Sequence, residues 1–399
     1  MLDFNQDKGN CTGCSACYSA CPIHCISMKA DEEGFLYPEA NDSCIHCGLC
    51  ERVCPAIQKK KDFSFGQKAI AAVAKDYNIW HRSASGGAFS EICRHFADEH
   101  TLIVGAAWDG LRVHHIGVMG FNTIAPLCKS KYVGSAIEDT FIDIRSNLKS
   151  GNKAVFCGCP CQVAGLKAFL GKDFDNLLTI DLICHGNGSP KVFIKCMDVI
   201  SEQLGEIVKS YQFRAKRKRY EEDHICLVTT NKSNHYIKSD PYMQLFLSQN
   251  ALRPSCGKNC IYRDSHRPGD LTIADLKGLS KIFPDLVYPK RNWSTVVCNT
   301  PKGEIVFRAL PQTMDVRPIT IEDVVKYNPL FARQTWFSKD RDSFFEDFCE
   351  DPSEAIKKWT KPYQLYNVGV IKTIFLYLPS IFKRYLRSCI NYCKTTEQL

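Results

Sequence analysis

Two copies of one cysteine spacing constrain this chain more than any other feature. Cys11, Cys14, Cys17 and Cys21 are followed by Pro22, and Cys44, Cys47, Cys50 and Cys54 by Pro55, each run reading C-x2-C-x2-C-x3-C-P. A short loop carrying three such thiols can wrap three corners of an iron–sulfur cubane; the chain then leaves through the proline, and the fourth thiol serves a second cubane. On that rule Cys11, Cys14, Cys17 and Cys54 hold one [4Fe-4S] cluster, and Cys44, Cys47, Cys50 and Cys21 hold the other. Zinc sites usually take their ligands two and two, which argues against a pair of zinc knuckles. Cys25 stands outside the repeat and is expected to be a core thiol.

The pattern is that of a bacterial two-cluster ferredoxin. A module of this kind, residues 1–60, moves single electrons over short distances and needs a two-electron partner for organic chemistry. The 23 cysteines of the whole chain are an odd number, so they cannot form a complete set of internal disulfides. In a reducing cytosol such a count argues for metal ligation. No secretory leader is recognisable at the start, and no apolar stretch reaches the roughly 18 to 20 residues that span a bilayer. Val368 to Phe382 comes nearest and is broken by Lys372 and Pro379. A cytoplasmic location is expected. The formal charge of +8 over 399 residues suits an anionic cofactor, an acidic partner or a membrane surface. No nucleic-acid partner is expected.

Residues 57–67 are polar and read as a linker. Beyond them short apolar runs alternate with helical patterns. Ala69–Ala74, Leu102–Ala107, Ala154–Cys157, Leu177–Cys184 and Leu271–Ala274 read as buried strands, and Gly87–His100 as a helix presenting Phe89, Ile92, Cys93 and Phe96 on one face. Ser189-Pro190 supplies a cap and a first-turn proline for a helix running to Gly205. The alternation predicts an α/β (α+β) body behind the N-terminal module.

Several strand ends carry chemistry. Ser83-Ala84-Ser85-Gly86-Gly87 precedes a helix, where small residues and free N–H groups can take an anion such as a diphosphate. A plain glycine turn reads the same way. Lys129-Ser130-Lys131-Tyr132 joins two cations and an aromatic ring. Gly158-Cys159-Pro160-Cys161-Gln162 links a strand to a helix, Cys184-His185 ends another strand, and Cys256 and Cys260 share a loop. If these turns meet at one sheet edge, Cys161, Cys184, Cys256 and Cys260 form a four-thiolate site; four unrelated buried cysteines are the alternative.

The set SASGGAFS (83–90), KSKYVGS (129–135), GCPCQVAGL (158–166), DLICHGNGSP (181–190) and RPSCGKNC…RPGDLTIADLKG (253–278) resembles the beta-subunit family of coenzyme F420-reducing hydrogenases and F420H2 dehydrogenases, over about residues 10–310. That family includes 7-hydroxymethyl chlorophyll a reductase and bacterial proteins encoded with polysaccharide-synthesis enzymes. The resemblance implies an iron–sulfur flavoprotein with FAD in the α/β body; the four-thiolate site on Cys161, Cys184, Cys256 and Cys260 would then hold a third [4Fe-4S] cluster. It implies that Ser85, Gly86, Gly87, Lys129, Ser130, Lys131 and Tyr132 contribute to the flavin site, with Gly158 and Pro160 shaping its turn. The flavin domain would fall into residues 61–150 and 151–310. Members commonly carry Thr where Cys159 stands, which argues against an obligatory ligand role for Cys159. Ala215 replaces the acid of a family FRDK-like segment, and Asp275-Leu276-Lys277-Gly278 lacks the usual aromatic before its glycine, so the organic substrate is the least defined part.

The expected activity couples single electrons on clusters to hydride chemistry at FAD, with His185 a candidate for proton transfer. Expected partners are a ferredoxin or other redox protein and an organic substrate or a deazaflavin or nicotinamide coenzyme. A sugar nucleotide or lipid-linked glycan is the substrate class if the chain belongs with the polysaccharide-associated members. The competing function is a non-catalytic electron-transfer subunit of a larger complex. Residues 311–399 read as a helical tail. From Tyr363 to Cys393 it mixes aromatic and basic residues, as in helices that lie on the inner face of a membrane or pack on a partner.

Overall fold

In the computed structural model of the chain, residues 8–57, 66–216, 225–257, 260–286, 291–332 and 337–368 are described. The N-terminal repeat is visible in the backbone. Helix Ala16–Ala20 carries the third cysteine of the first triplet, Cys17, and helix Leu49–Arg52 that of the second, Cys50, with the hairpin Ile26–Ala30/Leu36–Ala40 between them. Gly13 and Ser15 have φ of 69° and 62°, and the equivalent His46 and Gly48 have 51° and 70°. Left-handed residues on both sides of the second cysteine turn successive N–H groups into a concave nest, a shape that receives anionic groups.

The body is built on an eight-stranded sheet. Its order is Met314–Ile319, Lys68–Ala74, Ser294–Cys298, Leu271–Asp275, Leu177–Leu182, Ala154–Gly158, Leu102–Asp109 and Arg112–Met119. The four strands from Leu271–Asp275 to Leu102–Asp109 run parallel, and antiparallel strands complete both sides. The first five residues of Leu177–Leu182 are buried, as a strand covered on both faces requires, and its two polar residues, Thr179 and Asp181, are buried with hydrogen-bond partners. Helix Pro160–Leu170 uses Pro160 at its first position, where the missing N–H costs nothing, and Gln162 reaches back to accept from the Cys159 N–H at 2.9 Å. Helix Pro190–Leu204 is capped by Ser189 Oγ, which accepts from Val192 N, and stops at Gly205 in the left-handed region.

A buried ion pair ties the centre of the sheet together. Arg267 donates through Nε and Nη2 to Asp181 Oδ1 at 3.1 and 2.8 Å, while Gly269 N and Thr272 Oγ1 each donate to the same carboxylate at 2.8 Å. The carboxylate is saturated with donors, which is what makes a fully buried charge tolerable.

Two expectations are corrected. Helix Ala88–Phe96 ends four residues before His100, because Asp98 and Thr101 bond each other in a turn that breaks the ladder. Within the described residues 311–332 and 337–368 the expected helical tail is interrupted by strands. Met314–Ile319 is an edge strand of the large sheet, and Gln364–Asn367 adds to a second, antiparallel sheet with Asn234–Lys238, Ile225–Thr230 and Val208–Gln212. Helices Ile321–Tyr327, Arg341–Glu350 and Pro352–Trp359 lie between those strands. The basic, aromatic segment beyond Val368 and most of the linker lie outside the described residues.

The N-terminal module is packed into the body. Phe35 and Tyr37 share one apolar core with Phe193, Tyr242 and Phe345, and the Phe35 and Phe345 rings meet edge to face at 6.1 Å. Arg341, itself buried, pairs with Glu33 of the module's hairpin and donates through Nε to Leu252 O at 2.6 Å. Ser189 Oγ donates to Glu33 O at 2.5 Å.

Candidate functional site

Three groups of thiols line up from the module into the body. Cys11, Cys14, Cys17 and Cys54 line one cavity, the four that the spacing assigns to one cluster. Cys21, Cys44, Cys47 and Cys50 line a second, more open one, where Cys47 is exposed. Cys25 is a buried core thiol, as expected, and also lines this second cavity: its sulfur lies 3.4 Å from that of Cys21, the hydrogen bond between them pushes its pKa up, and the nearby Cys44 adds to this. Each repeat thus contributes its fourth cysteine to the other repeat's cavity.

The third group follows from the parallel register. Gly158 pairs with Asp181 across neighbouring parallel strands, so the turns after these two strands emerge side by side at one sheet edge. Open α/β sheets place ligands at this carboxyl edge. Here Cys159 and Cys184 approach to 3.7 Å and share one hydrogen bond, and Asn187 N donates to Cys256 Sγ at 3.1 Å. Cys161 is close enough to Cys184, Cys256 and Cys260 for each of them to push its thiol pKa up. The structure therefore brings Cys161, Cys184, Cys256 and Cys260 together, and adds Cys159 to them.

Burial is the main force on several of these thiols. It pushes Cys14 up to about 11 and Cys256 up to about 12. Cys184 goes the other way, held down to about 7 by its hydrogen bond with Cys159 and by the positive charges of Arg263 and Arg267. Thiols raised in this way, Cys14, Cys17, Cys54, Cys161, Cys256 and Cys260, would give up protons on taking up iron.

The donor sets fit clusters. Among the described residues no three His, Cys, Asp or Glu side chains converge as the ligands of a single metal ion do. A cubane has four irons at separate corners, and so calls for thiols ranged around a hollow rather than pointed at one spot. Beside the body thiols the buried Arg263 keeps its Nη1 without a hydrogen-bond partner among the described residues, as does the Ser255 hydroxyl. A buried cation with an unused donor suits an anionic occupant.

The remaining motifs meet further along the same edge. Gly86 is held between strands: a Cβ there would stand 2.3 Å from Ala72 O, and its N–H donates to Ser294 Oγ at 3.0 Å. Ser85 Oγ donates to Trp293 O, and Gly87 caps helix Ala88–Phe96. Lys216 Nζ donates to Ser85 O and lies 3.9 Å over the Trp80 ring. Burial lowers the His81 pKa, and Lys129 and Lys216 depress it further, which places both cations beside this turn. The Lys129–Tyr132 stretch is irregular and half-buried. Lys129 has φ of 70°, Lys131 donates to the carbonyls of Pro126 and Cys128 and is brought down to about 8 by burial, and Tyr132 is packed against Phe213 and Phe246. The thiol of Cys157 adjoins Lys131, so the Gly158 turn borders the same region. His185 holds its Nε2 3.1 Å from Phe246 O, and burial lowers its pKa. A carbonyl only accepts, so that nitrogen carries the proton and Nδ1 is left as an acceptor.

Residues 151–322 match the family described as the C terminus of the coenzyme F420 hydrogenase/dehydrogenase beta subunit, and residues 10–57 match a 4Fe-4S dicluster domain. Over its body the chain is related to the F420 hydrogenase/dehydrogenase beta-subunit family. The N-terminal segment is 32% identical over 87 residues to NADH-quinone oxidoreductase subunit I 2 of Geobacter metallireducens, covering 17% of this chain and 66% of that protein, just under two thirds. It is 33% identical over 54 residues to an uncharacterized ferredoxin of Methanocaldococcus jannaschii, covering 14% of this chain and 79% of that one. A chain in a structure of the xenon-derivatised F420-reducing [NiFe] hydrogenase complex of Methanosarcina barkeri is similar at 15% identity and a TM-score of 0.42, over 75% of this chain and 94% of that one. The chain thus joins a 4Fe-4S dicluster segment to a body related to these oxidoreductase subunits.

Within the F420 hydrogenase/dehydrogenase beta-subunit match fall the body thiols, Lys216, Arg253, Arg263 and Arg267. Lys216, Arg253 and Arg267 stand inside the quoted motifs and Arg263 between them, but no role could be read for them, since isolated basic residues look like solvated surface. Cys25 and Cys159 could have been found by counting: each lies two or four residues from a motif cysteine and so shares its turn.

Proposed function

We propose that the chain is an iron–sulfur flavoprotein oxidoreductase in which three [4Fe-4S] clusters and FAD form one conduit. The observation that carries this reading is the contact between module and body thiols. Cys14 lies against helix Pro160–Leu170, where a Cβ at Gly165 would stand 2.9 Å from its sulfur, and the second residue of that helix is Cys161. Cys14 and Cys161 are also near enough that each thiolate would disfavour the other. The clusters would supply one-electron transfer, and the flavin its exchange for a hydride on an organic substrate.

The residues of the chain hold and insulate that conduit. Cys161, Cys184, Cys256 and Cys260 would bind the body cluster, with Arg263 and Arg267 offsetting its charge. Ser85, Gly86, Gly87, Lys129, Ser130, Lys131 and Tyr132, with Gly158 and Pro160 shaping the neighbouring turn, would take the flavin and its diphosphate beside Lys216. His185, neutral and with Nδ1 as an acceptor, would take or return a proton there. The open cavity at the exposed Cys47 is the natural entrance for electrons from a ferredoxin or another redox protein. The organic side is proposed as a deazaflavin or nicotinamide coenzyme, or a polysaccharide precursor. The basic tail would provide contact with an anionic membrane.

Anaerobic purification followed by iron and flavin analysis tests the reading. About twelve irons per chain are expected, four for each cubane. Cys161→Ala and Cys260→Ala should each lower the count by about four. Unchanged iron in both would sink the body cluster, and protein without flavin would remove the hydride chemistry. Reduction assays with F420H2, reduced ferredoxin and NADPH separate an enzyme from an electron-transfer subunit.

A further inference from the structure

Arg253 is a buried cation placed between two of the thiol groups, and its side chain has no carboxylate paired with it among the described residues. It is 1% exposed. Nε donates to Cys11 O at 2.7 Å, and Nη2 donates to Leu36 O at 3.0 Å and to Cys11 Sγ at 3.4 Å. The guanidinium stacks over the Tyr37 ring at 4.0 Å. Gly13 makes room for it: with φ of +69°, a Cβ there would stand 2.9 Å from Nη1. Two neutral carbonyls and a thiol do not balance a charge withdrawn from water. A thiolate bonded to an iron–sulfur cluster would.

The backbone of the same residue belongs to the body site. Arg253 N donates to Asn187 O at 2.9 Å, Cys256 N donates to Arg253 O at 2.9 Å, and Asn187 N closes the circuit by donating to Cys256 Sγ. One residue therefore holds a ligand of the module's inner cavity with its side chain and frames a ligand of the body site with its main chain.

We propose that Arg253 is a positioning residue that docks the inner cluster against the body cluster and raises the inner cluster's reduction potential. This rests on the three-cluster reading above. Its positive charge and its N–H bond to Cys11 Sγ favour the form carrying one more electron, and hydrogen bonds to cluster sulfur are among the factors that set such potentials. No bond is made and no proton moves: one electron leaves the donor cluster and enters the acceptor, and Arg253 alters the balance between them.

Full-length protein purified without oxygen is titrated potentiometrically and followed by EPR, as wild type, Arg253→Gln, Arg253→Lys and Arg341→Gln. Arg341 also docks the module but touches no cysteine ligand. Arg253→Gln should keep its iron and move one midpoint to more negative potential, leaving the other midpoints in place. Arg253→Lys keeps the charge but not the fork, and should move the same midpoint less. Arg341→Gln should move none. If Arg253→Gln does not load iron, Arg253→Lys carries the test. An unmoved midpoint in an iron-replete Arg253 variant overturns the proposal, as does an equal shift in Arg341→Gln, which would reduce the effect to looser docking. A wild type that binds no iron would instead overturn the reading on which the proposal rests.

Discussion

At the scale of single residues, burial decides more than sequence neighbours do. His115 shows this. Its Nδ1 lies 2.6 Å from Ser135 Oγ and its Nε2 3.2 Å from Cys157 O, and burial brings its pKa from 6.5 down to about 4. The folded chain therefore keeps this ring neutral where the unfolded chain would protonate it. The contribution to stability is intact above pH 6.5 and is lost as pH falls towards 4. At about 1.4 kcal/mol per unit, the full loss approaches ~3 kcal/mol. His115→Gln, which can keep both hydrogen bonds, should flatten that slope. Denaturant unfolding at pH 7 and pH 5.5 should show the wild type losing about 1 kcal/mol more than the variant over this interval. Such residues were invisible in the sequence, where His114-His115 looks like any exposed pair. Arg253 was hidden for the same reason, because nothing in Leu252-Arg253-Pro254 signals that the guanidinium turns inward. The cluster cysteines were legible because iron imposes a fixed spacing on the chain, whereas a buried cation imposes none.

At the scale of elements, the parallel strands were readable and the edge strands were not. Ala154–Gly158 and Leu177–Leu182 lack polar/apolar alternation because both faces are covered, Thr179 and Asp181 being buried with their hydrogen-bond partners. Met314–Ile319 reads MDVRPI: polar residues interrupt it and Pro318 sits inside it, which suits an edge position and hides it from a search for apolar runs. The meeting of Cys159 and Cys184 needed the strand order, which periodicity does not encode. Helix Pro160–Leu170 links these elements to the module. Alanine normally stabilises a helix interior over glycine by about 1 kcal/mol. At Gly165 the sign should reverse, because the new methyl would meet Cys14 Cβ and Sγ at 2.9 Å. Gly165→Ala should cost about 1–3 kcal/mol in thermal or denaturant unfolding and reduce inner-site iron. A stabilised variant with full iron would show that the helix can shift away from the module.

At the scale of the whole molecule, the module and the body behave as one object. Phe35 is 1% exposed and packs on Phe345, far along the chain. Phe35→Ala should cost about 3–5 kcal/mol, and the loss should fall on the joint between module and body. Melting followed at once by cluster absorbance and by far-ultraviolet circular dichroism should show a single transition in the wild type and two separated ones in the variant. Coincident transitions in both would mean that cooperation does not pass through this ring. The sequence marked the module correctly, but its linker and composition gave no hint that the two parts share a core.

That shared core has a consequence for how such a chain can change over evolutionary time or in the laboratory. A freestanding ferredoxin must finish its own exterior on every side. This module leaves one flank unfinished: Phe35, Tyr37 and Glu33 are completed only by Phe345, Phe193 and Arg341. It is not an interchangeable cassette. A chimaera carrying another dicluster segment would need its matching patch transplanted from the far end of the sequence as well, so the two stretches can be exchanged only as a pair.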